Sequence, residues 1–211
     1  MSKPILLVIA GCNGSGKSSF SKLIAPDNFL PFDYDFYFLS FYKTLADSDI
    51  RDTIAHNMAF NELENQINHS ISNQINFCYE TNFNSSPLHW PELFKKNGYE
   101  VNLIFFCLNS INEAKRRVAI RVENEGHFVP ENEIIKRYFD GYDNLNSNFS
   151  FSDNVHLFDT SEYLGIPRHC ISVFQLLTAD WSKRLGSQNI LMNCFLKLKL
   201  KSSSKIIIFK L

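Results

Sequence analysis

The residues best placed to do chemistry are Gly11-Cys12-Asn13-Gly14-Ser15-Gly16-Lys17-Ser18, with Ser19 directly after them. They satisfy G-x-x-x-x-G-K-[ST], the spacing of a loop that cradles phosphate. Gly11, Gly14 and Gly16 let the backbone curl until successive N–H groups converge on phosphate oxygens, a geometry that side chains would obstruct. Asn13, Ser15 and Ser19 complete the expected nucleotide contacts. Lys17 supplies a point charge to the β- and γ-phosphates, and the Ser18 hydroxyl is the type of group that ligates Mg²⁺. ATP and Mg²⁺ are therefore the expected cofactors.

A phosphate loop does not distinguish a kinase from a switch, so the other polar residues have to. Asp33 and Asp35 follow a short apolar stretch, where an acceptor hydroxyl would lie for in-line attack on the γ-phosphate. A carboxylate there either takes the hydroxyl proton or holds Mg²⁺. Asp35 is a candidate base or Mg²⁺ holder and Asp33 its neighbour and a candidate substrate-binding residue, both pointing one way along an extended segment, and only one of them need be catalytic. Glu80 ends a further apolar run and is a metal or substrate ligand by position, with Thr81 and Asn82 beside it. Arg121 and Arg137 flank a break at Gly126-His127, the layout of a lid that carries guanidiniums over the transferred phosphate. Arg116 and Arg117 compete for that role.

The elements that position these residues alternate. Residues 5–10 form a buried apolar strand and residues 17–24 a helix stopped by Pro26. Further strands are expected at 29–32, 75–79, 101–108 and 155–158, and helices at about 45–72, 87–96, 112–122 and 131–145. This predicts an α/β fold: a P-loop NTPase-type three-layer αβα arrangement with a mostly parallel sheet and a helical lid.

A chain of 211 residues supports one core, assigned to 1–185, with a tail of unknown role over 186–211. A net charge of −1 without a basic stripe implies no nucleic-acid partner and makes a small-molecule or nucleotide substrate the default expectation. Five scattered cysteines suit a reduced, cytoplasmic protein. No run reaches the roughly 18 apolar residues of a membrane helix.

Taken together, the phosphate loop, Asp33-Tyr34-Asp35, Glu80-Thr81-Asn82, and the run from Arg116 through Gly126-His127-Phe128-Val129-Pro130 to Arg137-Tyr138 resemble the zeta-toxin family of P-loop kinases. The resemblance spans about residues 4–160. It implies that Lys17 binds ATP phosphates, Asp35 is the general base, Glu80 holds substrate, and lid arginines stabilise the transferring phosphate. It also implies a UDP-N-acetylsugar acceptor and an antitoxin protein as partner. Asn82 departs from the pattern, standing where the toxins carry a substrate-binding threonine. The alternative is a nucleotide-binding ATPase or switch without an acceptor.

Lys17→Ala is expected to abolish phosphoryl transfer and weaken nucleotide binding, because no neighbour in the loop replaces the charge. Wild-type turnover by this variant would overturn the phosphate-loop assignment.

Overall fold

Residues 5–11 read ILLVIAG, apolar without alternation, as suits a strand covered on both faces. That strand, β1 (Ile5–Gly11), is the axis of the fold. The computed structural model describes residues 3–24, 30–124, 128–162 and 168–174. After β1 come α1 (Lys17–Ile24), α2 (Tyr34–Thr44), α3 (Arg51–Asn73), β2 (Phe77–Thr81), α4 (His89–Lys96), β3 (Glu100–Cys107), α5 (Ile111–Glu123), α6 (Glu131–Asn148), β4 (Asn154–Asp159) and β5 (Arg168–Phe174). The sheet order is β2-β1-β3-β4-β5. β1 pairs in parallel with β2 and β3, and β4 runs parallel to β3. β5 is antiparallel to β4. The C-terminal ends of the four parallel strands therefore share one edge, where a sheet of this kind places its ligand.

Most of the core lies on one face of the sheet. Leu6, Val8, Leu103 and Phe105 meet Ile67 of α3, Phe94 of α4, Val118 of α5 and Tyr138 of α6 there. On the other face Leu7, Ile9, Ile104 and Phe106 are covered, among the described residues, by Phe20 of α1 and Phe158. The α2–α3 pair has a small core of its own, where Ala55 and Ala59 let Phe38 approach closely.

Three sequence expectations are corrected. Of the strand expected at 29–32, residue 29 lies outside the described residues, and Phe32 makes only an isolated parallel bridge to Tyr79. Asp33 then caps α2, its carboxylate accepting from Phe36 N at 3.2 Å. The aromatic residues of α2 recur as Tyr34, Phe38, Phe41 and Tyr42, a helical spacing, and the cap converts what reads as an extended approach into a helix start. The second correction is β5, for which no strand was expected. Residues 45–50, expected to open the long helix, precede α3 instead. The break at Gly126-His127 and the 186–211 tail lie outside the described residues.

α6 is fastened to the sheet by two phenols. Tyr142 Oη accepts from Leu108 N at 2.9 Å and donates to Leu108 O at 2.8 Å, while Tyr138 Oη donates to the same carbonyl at 3.0 Å. One turn along, Gly141 sits so close to the chain after β2 that a Cβ would lie 2.9 Å from Asn82 O. Thus α6 brings the lid-side arginine Arg137 toward the end of β2, across a backbone strained at Phe83 and Ser85, whose φ values are 56° and 52°.

Tyr142→Phe should cost about 1–3 kcal/mol, because it strips the buried Leu108 N–H of its partner. Tyr138→Phe should cost less, since Tyr142 still serves the carbonyl. Denaturant unfolding of both variants checks the order, and equal losses would refute the strut.

Candidate active site

The phosphate loop runs from the end of β1 into α1, and three partners hold its shape. Gly14 has φ +76°, and a Cβ there would meet Ala114 O at 2.8 Å, so the loop can lie against α5 only as glycine. Arg117 bonds Gly14 O at 3.4 Å and Ser161 O at 3.1 Å, and its Nε reaches Glu113 Oε1 at 2.6 Å. Thr160, just past β4, donates to Ser15 O at 2.8 Å. Glu113, held by hydrogen bonds from Arg116 and Arg117, has its carboxyl pulled down to about 2. Arg117 is therefore a strut of the loop as well as a lining residue, and Arg116 lies on the surface beside Glu113.

Within the loop, Ser15 Oγ and Asn13 Oδ1 are buried without a hydrogen-bond partner. Buried polar groups are rarely left so, and phosphate-binding loops are one place where they are. Lys17 Nζ donates to Gly11 O at 2.7 Å, Cys12 O at 3.1 Å and Asn82 Oδ1 at 3.0 Å. Burial pushes its ammonium below the ordinary lysine value, while Cys12, Glu80 and Asp35 pull it back up. Incoming phosphate would add to that upward pull.

Glu80 lies within β2, in register with Ile9, and spans two hydroxyls of α1. Ser18 Oγ donates to its Oε2 and Ser21 Oγ to its Oε1, both at 2.7 Å. Burial raises the Glu80 carboxyl above the usual range, and the two serine bonds work against that rise.

A cavity of about 1000 Å³ opens in front of the loop. Asn13, Gly14, Gly16, Lys17, Ser18 and Ser19 line one wall. Asp33, Asp35, Glu80 and Asn82 line it as well, together with Arg121 and Arg137. Gly11 and Ser15 lie beneath this surface. Asp33 and Asp35 do share the cavity, but from the cap and first turn of a helix rather than by strand alternation. Arg121, in the last turn of α5, adds positive charge near Lys17, and Arg137 pairs with Glu133 at 3.5 Å. Tyr34, His56, His89 and Trp90 line the cavity too.

Sequence reasoning passed over Ser21, Thr160 and Trp90. Ser21 was within reach, being one turn beyond Ser18 on the same helix face. Thr160 carried no signal, since it meets Ser15 across 145 residues of chain.

The sequence model of the family described as Zeta toxin matches residues 1–162. No curated protein matches the chain significantly. Among solved structures, the chain is similar to one from the PezAT chromosomal toxin-antitoxin system of Streptococcus pneumoniae, with a TM-score of 0.54 at 16% identity over 75% of this chain and 69% of that one. It is similar to AvrRxo1-ORF1:-ORF2 with ATP, with a TM-score of 0.61 at 15% identity over 97% of this chain and 78% of that one. A chain of the Pnkp1/Rnl/Hen1 RNA repair complex gives 0.53 at 22% identity over 67% of this chain, which spans only 45% of that one. At these identities the structural likeness establishes the fold. The family match extends well beyond anything the phosphate loop alone would produce, from the first residue past the end of β4: the chain belongs to the zeta toxin family and is a P-loop phosphotransferase.

Proposed function

We propose that this chain transfers the γ-phosphoryl group of ATP to a hydroxyl of a small acceptor held between Asp35 and Trp90. The observation that carries this reading is the single cavity shared by the phosphate loop, two helix-start aspartates and two arginines. The structure similar to this chain that was solved with ATP supports the choice of nucleotide.

The residues fit Mg²⁺. Ser18 Oγ has its proton committed to Glu80 at 2.7 Å, which leaves its lone pairs for a cation. No cluster of three His, Cys, Asp or Glu occurs among the described residues, so phosphate oxygens and water would supply the remaining ligands, as Mg²⁺ prefers. Bound there, Mg²⁺ neutralises charge on the β- and γ-phosphate oxygens.

In this mechanism Lys17 and the loop N–H groups hold the β- and γ-phosphates. Asp35 takes the acceptor hydroxyl proton as the new O–P bond forms and the bond from γ-phosphorus to the bridging oxygen breaks, releasing ADP. Arg121 and Arg137 offer paired donors to the transferring phosphoryl oxygens. Asp33 supports α2 and binds the acceptor edge.

The acceptor class implied by the family resemblance is a UDP-N-acetylsugar, and an antitoxin is the corresponding partner. The PezAT likeness supports the partner, as PezAT is itself a toxin-antitoxin system. Asn82 accepts from Lys17 and so faces the donor side, which is why the sugar has to be tested rather than carried over. No helix among the described residues is long and apolar enough to cross a membrane, and reliance on ATP supports a cytoplasmic site of action.

Incubation with ATP, Mg²⁺ and a panel of UDP-sugars, nucleosides and nucleotides, followed by mass spectrometry, should show one phosphorylated acceptor and stoichiometric ADP. ADP formation with no phosphorylated acceptor would replace this reading by an ATPase. Asp35→Asn should lower kcat by roughly 10² or more while ATP binding survives. Asp33→Asn keeps the helix cap and should leave kcat much less affected. The reverse pattern in steady-state kinetics would move the base to Asp33.

A further inference from the structure

We propose that Ser21 is a positioning residue for the catalytic cation: by holding one oxygen of Glu80, it commits the other to the Ser18 hydroxyl. The inference deepens the reading above and rests on it. It also moves Glu80 away from the acceptor-binding role that the family resemblance implies and places it on the metal side.

The geometry is closed at every point. Ser21 is 1% exposed, so its hydroxyl cannot turn to water, and its bond runs to Glu80 Oε1 at 2.7 Å. Ser18 lies three residues earlier on α1, on the same face, and donates to Oε2 at 2.7 Å. The Glu80 backbone is fixed independently: it lies in register with Ile9, and its N–H donates to Phe32 O at 3.0 Å. A carboxylate held at its backbone and at both oxygens has one orientation. In that orientation it accepts the Ser18 proton and leaves the Ser18 lone pairs for a hard cation. An outer carboxylate that orients a ligating group in this way is a recurrent feature of metal sites, and its loss typically costs about 10- to 100-fold in metal affinity.

An acceptor role for Glu80 would require the carboxylate to give up a serine for a substrate hydroxyl. Ser21 opposes that exchange. Without Ser21, Oε1 would lose its donor, the side chain could rotate, and the orientation of Ser18 would be shared among several arrangements.

The test is equilibrium binding of a fluorescent N-methylanthraniloyl ATP to the full chain, first in EDTA and then across a Mg²⁺ titration. The parent should bind more tightly as Mg²⁺ rises. Ser21→Ala should need about 10-fold more Mg²⁺ for the same tightening, with its EDTA affinity and its acceptor KM nearly unchanged. Ser21→Thr, which restores the hydroxyl, should return the Mg²⁺ midpoint toward the parent. Ser21→Cys, close in volume and a weaker donor, serves if the alanine variant does not fold, and should fall between. A buried serine that only supported packing would lower the melting temperature and leave the Mg²⁺ midpoint in place. A midpoint for Ser21→Ala or Ser21→Cys equal to the parent's overturns the inference, as does a raised acceptor KM with an unchanged midpoint. If the parent binds with Mg²⁺ stimulation and no acceptor is ever phosphorylated, the kinase reading fails and the Ser21 assignment stands. If the parent binds no nucleotide, both fall.

Discussion

The outward lashing of the phosphate loop's carbonyl groups is the interaction on which the site depends. Thr160 holds Ser15 O, and Arg117 reaches Gly14 O. A peptide is planar and trans, so the N–H of Gly16 points opposite to the Ser15 carbonyl, away from Thr160. Two residues from remote parts of the chain thereby fix the direction in which a loop donor faces. The packing of Gly14 on Ala114 O sets the position of the loop, and the strut sets its orientation.

Charge follows from the same arrangement. Lys17 is half-buried, and loss of water disfavours its ammonium while the nearby Glu80 and Asp35 favour it. Glu80 is half-buried too, which raises its carboxyl, and the bonds from Ser18 and Ser21 work against that rise. Asn13 Oδ1 and Ser15 Oγ, in the same loop, are buried without a hydrogen-bond partner. Around it the scaffold is stiff: α6 is tied to Leu108 by two phenols, and α5 is tied to the loop by Arg117. Arg121 sits in the last turn of α5, one turn beyond Arg117, and Arg137 directly precedes the tethered Tyr138 on α6.

Membership of the zeta toxin family defines the chemistry and leaves the acceptor to the details of this cavity. Here those details differ from a simple carry-over of residues. Asn82 is engaged by Lys17, and Glu80 by two serines of α1. Trp90, His89 and His56 line the same cavity as Asp33 and Asp35 at the start of α2.

The sequence by itself made the phosphate loop and the strands β1, β3 and β4 legible. These rest on local rules: glycine spacing and unbroken apolar runs. It also brought Asp33, Asp35, Arg121 and Arg137 forward, because their types and their places beside element ends are visible in one dimension. What it misjudged was the conformation around Asp33, where an aromatic-rich stretch is compatible with strand or helix until the cap and the α3 contact decide. Only the tertiary structure could show that Thr160 closes on Ser15, that Arg117 braces Gly14, and that Ser21 and Ser18 share Glu80. Each of these bonds joins groups dozens of residues apart, and a hydrogen bond is decided by distance and direction in space, which residue order does not encode.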